Sequence, residues 1–183
     1  MARLSLVAIG LLLATTLGMA APATVPHLDL TRYAGQWYEI ARFPNRFQNK
    51  CTGDVIADYA LRPDGRITVI NRCATRDGSI TEAAGIARLA DPKGSPARLK
   101  VRFAPGFLSF IPQVWGDYWV IGLAEDYRYA VVGSPDLDYL WILSRTPQMT
   151  AADYSTARQV AADNGFDVSR LVDTPQPRAT TGR

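Results

Sequence analysis

Histidine is nearly absent: His27 is the one instance in 183 residues. That removes most acid–base, nucleophilic and metal chemistry, because histidine is the usual participant in each. Cysteine is almost as sparse. Cys51 and Cys73 alone are too few for a zinc cluster or a disulfide-dense scaffold. Neither sign of charge dominates, with 20 basic residues against 17 acidic ones and a net charge of +3. Even with an isoelectric point near 9.0, this is not the footprint of a nucleic-acid binder. No segment repeats, which excludes solenoids and propellers. The sequence offers no cofactor motif and no set of metal ligands. What remains is ordinary globular composition, 48% hydrophobic and 20% charged, in a length that suits one domain.

The longest apolar run, Leu6 to Leu17, is shorter than the ~20 residues of a membrane-spanning helix. Arg3 is the only charge before it, and Gly18 to Ala20 follow as small residues at a cleavage site. Residues 1–20 therefore read as a cleaved signal peptide. No cysteine follows the run, so there is no lipobox for lipid anchoring. The expected location is the periplasm or the outside, where cysteines are oxidised. Residues 21–27, with Pro22 and Pro26, read as a flexible arm, and residues 174–183 as a disordered polar tail.

Between these ends the chain is a procession of short apolar-aromatic runs separated by turn signals. Arg62-Pro63-Asp64-Gly65, Arg76-Asp77-Gly78, Asp91-Pro92-Lys93-Gly94 and Gly133-Ser134-Pro135-Asp136 punctuate it. Eight strands are expected near 35–43, 53–62, 66–73, 79–90, 97–103, 117–124, 127–133 and 138–145. One helix follows over 150–164, with Thr150 as N-cap and Gly165 as its stop. Val168 to Val172 could add a last short strand. The fold class is all-β: an eight-stranded antiparallel up-and-down barrel with the C-terminal helix packed outside, spanning 28–173.

Cys51 opens the second strand and Cys73 closes the third, at the far end of the hairpin about Pro63-Asp64-Gly65. Strict register would set Cys73 opposite Val55, so a bulge or splayed end must bring the cysteines together. In a secreted protein these two are expected to form a disulfide.

Gly35-Gln36-Trp37-Tyr38 on the first strand resembles the G-x-W motif of the lipocalins. Ile142-Leu143-Ser144-Arg145 on the last barrel strand resembles that family's arginine motif. The stretches Tyr33 to Arg42 and Asp138 to Pro147 resemble its bacterial branch, the outer-membrane lipocalins related to apolipoprotein D and plant lipocalins. Gly35, Trp37 and Arg145 are the fold signature that this resemblance implies, with Trp37 and Arg145 plugging the closed end. Meander geometry agrees, since the start of strand one and the end of strand eight lie at the same end of a closed barrel. An arginine can stack on the indole there.

Side chains alternate along a strand, so Trp37 and Arg145 fix which parity faces inward. Odd positions are then expected to line the lumen: Val55, Ala57 and Tyr59; Val101 and Phe103; Trp119, Ile121 and Leu123; Tyr139, Trp141 and Leu143. The resemblance implies pocket aromatics at Tyr59, Phe103, Trp119 and Trp141. Glu39 could point inward as a structural partner for Arg42, Arg145 or backbone. At the open end, the apolar stretch 104–116 could be a lid, a membrane-surface contact, a homodimer interface, or a segment folded back into the mouth. Arg42, Arg46 and Lys50 could meet a ligand head group there or stay solvated.

The expected function is non-catalytic binding, storage or transport of a hydrophobic small molecule, a fatty acid or lysophospholipid, in the bacterial envelope. A pigment or tetrapyrrole binder is the alternative. A lipid isomerase or synthase on the same scaffold is disfavoured by the missing histidine.

Overall fold

A computed structural model describes residues 21–177 of the chain. Asp29 opens a short helix, α1 (Leu30–Tyr33), by accepting the amides of Thr31 and Arg32 on its side chain. Eight strands follow: β1 (Gly35–Arg42), β2 (Cys51–Leu61), β3 (Ile67–Thr75), β4 (Ile80–Leu89), β5 (Arg98–Arg102), β6 (Gly116–Leu123), β7 (Tyr129–Gly133) and β8 (Leu140–Ser144). Each pairs antiparallel with the next, and β1 pairs with both β8 and β2. The sheet therefore closes on itself and leaves no long free edge. The helix α2 (Ala151–Asp163) comes next, capped by the Thr150 hydroxyl on the Asp153 amide and ended at Gly165, whose φ is 88°. A short strand β9 (Val172–Asp173) then adds to the mouth half of β1. Val168–Arg170 is a single 3-10 turn, so the expected last strand is confined to β9.

Two apolar layers hold this together. Inside the barrel, Trp37, Val120, Ala130, Val132 and Leu143 form one cluster, and Ile67, Val69, Ala87 and Leu99 another. Outside, Ala41, Phe43, Ile121, Val131 and Ile142 pack against Ala157, Ala161 and Phe166. Strand β7 is covered on both faces, which explains its unbroken Tyr-Ala-Val-Val-Gly run. Gly122 lets α2 approach the wall, because a Cβ there would sit 2.7 Å from Val160 Cγ1.

The alternation expected from Trp37 holds on β2, β5 and β8 but not on β6. Leu99 pairs with Tyr118, an odd position with an even one. Tyr118 and Val120 therefore face the lumen. Trp119 and Ile121 face outward into the cluster beneath α2, and the Arg98 guanidinium lies 4.5 Å over the Trp119 ring. Assigning Trp119 to the pocket is thus corrected by the return register of the long β5–β6 connection. A bulge between Val120 and Gly122 then returns Leu123 to the inner cluster.

Within the described residues both ends make contacts to the barrel and helix. In the arm, the Ala23 amide donates to Asn164 Oδ1 and the Val25 amide to the Val120 carbonyl. In the tail, Thr174 is buried, its amide donates to the Ile40 carbonyl, and the Pro175 carbonyl accepts from Asp54. Residues 174–177 fill a fork where β1 and β2 part company near the mouth. The signal-peptide reading of 1–20 and the rest of the tail, 178–183, lie outside the described residues.

Candidate functional site

The closed end is sealed as the strand geometry requires. The Arg145 guanidinium lies 3.8 Å from the centre of the Trp37 ring and donates to the carbonyls of Gln36, Arg32 and Tyr33. Gly35, with φ of 93°, supplies the left-handed backbone just before Trp37. Above the plug, the Tyr118 hydroxyl meets those of Tyr33 and Tyr59 at 2.7 and 3.1 Å. Burial pushes Tyr59 up to about 12, and Tyr33 and Tyr118 well above the ordinary phenol value, so all three stay protonated. Tyr59 and Tyr118 nevertheless keep accessible surface. Both side chains point inward, since Tyr59 pairs in register beside Trp37–Ala57 and Tyr118 lies opposite Leu99.

The walls above are apolar and uneven in size. Val55, Ala57 and Val101 stand on β2 and β5, while the inward positions of β4 are Ala83, Gly85 and Ala87. Small residues on this wall make way for an aromatic ring. Phe103 leans over that wall, since a Cβ on Gly85 would sit 2.7 Å from its ring.

An aromatic ladder leads out of the lumen on the other side. Trp141 stacks on Tyr139 at 5.8 Å, and Tyr139 meets Phe47 at 5.7 Å. Trp141 Nε1 donates to Gln48 Oε1, and Gln48 Nε2 donates to Glu39 at 2.6 Å. Glu39 is buried, as the sequence suggested. It also accepts the Thr174 hydroxyl at 2.5 Å and faces Arg42 at 3.5 Å. Burial raises its carboxyl above the usual range, against the opposing pull of Thr174, Gln48 and Arg42. A bulge between Glu39 and Ala41 turns Arg42 to the lumen side opposite Trp141.

The mouth loops are apolar at their tips. Phe47, Ile80, Phe103, Phe107 and Phe110 range from 44% exposed at Phe103 to 78% at Phe110. Arg46, Lys50 and Arg76 stand exposed on the same rim. Within 104–116, the 3-10 turn Gly106–Leu108 carries Phe107 outward, and the turn between it and a second 3-10 turn, Pro112–Val114, exposes Phe110. Trp115 instead folds back against the outer wall, with the guanidiniums of Arg88 and Arg102 at 4.5 and 5.2 Å from its ring.

Of the residues expected in the lumen, Val55, Tyr59, Val101, Tyr139, Trp141 and Leu143 share the inner face, and Phe103 stands at its rim. Trp119 does not. Sequence reasoning missed Tyr118 and Val120, which the β6 register hid, and Tyr33, Gln48 and Thr174, which lie off the barrel strands. Cys51 and Cys73 are disulfide-bonded with Cα atoms 5.5 Å apart. The required irregularity is present, as the β2–β3 register shifts on both sides of Gly53.

Comparison with known proteins agrees with this geometry. The sequence model of the lipocalin-like domain matches residues 28–176. The chain is 48% identical over 153 residues to temperature-induced lipocalin-1 of Arabidopsis thaliana, covering 83% of this chain and 81% of that one. It is 41% identical over 154 residues to outer membrane lipoprotein Blc of Escherichia coli K12, covering 84% and 82%. Insecticyanin from the tobacco hornworm Manduca sexta has a similar fold, with a TM-score of 0.64 at 22% identity over 87% of this chain and 86% of that one.

Proposed function

The chain belongs to the lipocalin family, and on that premise we propose that its barrel carries one fatty acid or lysophospholipid without transforming it. The observation that carries this reading is the aromatic ladder from the exposed Phe47 through Tyr139 to Trp141, which packs on the same inner cluster as the half-buried Tyr59 and Tyr118. Transfer of an acyl chain into such a space is favourable by about 0.8 kcal/mol per CH₂ in gross terms, less the ordering costs of binding. A binding role also suits the polar groups. Both cysteines are bonded to each other, His27 is exposed outside the lumen, and Glu39 is engaged by three partners.

The rim supports delivery at a lipid surface over pairing with a second copy. Exposed phenylalanines interleave with Arg46, Lys50 and Arg76, a combination that complements anionic headgroups. The disulfide suits an oxidising envelope compartment.

Native mass spectrometry of protein purified without detergent, followed by solvent extraction, tests the reading. A stoichiometric acyl lipid is expected. A pigment in the extract would replace the lipid assignment. An empty protein that takes up neither fatty acid nor lysophospholipid would overturn carriage altogether.

A further inference from the structure

Three phenols converge at the floor of the lumen with one proton too many. The Tyr33 and Tyr59 rings stack at 5.8 Å with 9° between their planes, and Tyr118 meets Tyr59 edge-on at 6.1 Å. This packing fixes the three hydroxyls against one another. They bring three protons, and the contacts Tyr33–Tyr118 and Tyr59–Tyr118 use two. The third has no acceptor among the described residues. The neighbouring side chains Trp37, Val120 and Leu143 offer none, and Trp37 Nε1 already donates to the Tyr33 carbonyl. A buried hydroxyl proton left unpaired costs free energy that an acceptor recovers. Tyr59 and Tyr118 are half-buried and their strand registers turn both inward, so an acceptor on a ligand inside the barrel would approach these two hydroxyls.

We propose that this triad is a polar end-stop that selects, among long-chain amphiphiles, those carrying an uncharged oxygen at the buried end of the chain. This rests on the lipid-carrying reading above and narrows it to a ligand class: chains with a terminal hydroxyl or carbonyl. A methyl end would leave the spare proton unpaired. A carboxylate driven to the floor would lose its hydration, and the nearby cation, Arg145, lies against Trp37 with its Nη donors already directed to backbone carbonyls.

The test is a matched titration, by calorimetry, with hexadecanoic acid and 16-hydroxyhexadecanoic acid, extended to shorter and longer members of both series. The wild type should favour the hydroxylated acid by about 3–10-fold, the worth of one hydrogen bond, with the preference peaking at one chain length. The double variant Tyr59→Phe/Tyr118→Phe keeps the rings and removes both reachable hydroxyls. It should bind the two acids equally while retaining affinity for hexadecanoic acid. Tyr33→Phe leaves the Tyr59–Tyr118 pair and should keep the preference. Equal affinities in the wild type at every length, or a preference that survives the double substitution, would overturn the end-stop alone. Failure of every acyl chain to bind would overturn the carrier reading and the end-stop with it.

Discussion

Arg145 faces Trp37 at 3.8 Å across the closed end of the barrel, and its guanidinium also ties together the Gln36, Arg32 and Tyr33 carbonyls. One side chain thus joins β8, β1 and the residues of α1. Arg145→Ala should lower the unfolding free energy by about 1–2 kcal/mol, the cation–π contribution plus partly exposed hydrogen bonds. Arg145→Lys should recover only part, because an ammonium cannot fork between carbonyls while lying flat on an indole. Urea denaturation followed by tryptophan fluorescence reads both, and an unchanged midpoint in Arg145→Ala would remove the plug.

Trp141 stands between the rim and the floor, stacked on Tyr139 and tethered to Gln48. Trp141→Glu places a carboxylate on the acyl path and should weaken fatty-acid binding by about tenfold or more, the order expected from exchanging a buried apolar side chain for a charge. Trp141→Phe should bind nearly as well as the wild type. Circular dichroism checks that both variants keep the barrel. Equal affinity in Trp141→Glu and the wild type would sink the assignment.

Glu39 couples pH to stability. Burial raises its folded-state carboxyl above the unfolded value, so between those two values the folded chain holds the proton more firmly. Stability contributed by protonated Glu39 is therefore present at low pH and lost as pH rises through the folded value. Glu39→Gln lacks that titration. The wild type minus variant difference in unfolding free energy should fall with rising pH from the ordinary carboxylate range upward, then level off. The subtraction matters because Asp77, held at about 2, and other lowered aspartates tilt the raw profile the opposite way under acid conditions. A flat difference across the range would show that Glu39 folds with an ordinary carboxyl.

Phe107 and Phe110 are exposed at the tips of the β5–β6 connection, so replacing both with Ser should leave the melting temperature unchanged. Co-flotation with anionic phosphatidylglycerol vesicles should drop by about tenfold or more, from the apolar area withdrawn from the lipid interface. Added salt should weaken the wild-type interaction through Arg46, Lys50 and Arg76. Flotation that persists in the double variant would point away from this rim as the contact.

The strand boundaries, the helix and its caps, the closed-end pair and the disulfide were legible in the amino-acid sequence. Each rests on information held within a few residues or fixed by a simple meander. Turn residues mark where strands end, and alternation marks which face is buried. An antiparallel barrel of eight strands then brings Trp37 to Arg145, and Cys51 to Cys73 once a bulge is allowed. Val55, Tyr59, Tyr139, Trp141 and Leu143 followed from the same alternation because their strands keep its phase.

What the sequence could not decide depends on where a long connection returns. Residues 103–115 bring β6 back with Tyr118 opposite Leu99. Nothing local distinguishes that register from its neighbour, which would have placed Trp119 in the lumen. A one-residue slip exchanges the two faces of a strand, and here it gave the pocket Tyr118 in place of a tryptophan. The tail shows the same limit. Pro175 and Gln176 read as a polar end, yet Gln176 Nε2 donates to the Glu39 and Val55 carbonyls across the fork between β1 and β2. Those carbonyls lose their ladder partners only because the two strands diverge in three dimensions. The sequence alone determined which segments become strands and which ends of them meet; the tertiary structure decided which side chains share the lumen, because register and strand divergence are set by contacts between residues far apart in the chain.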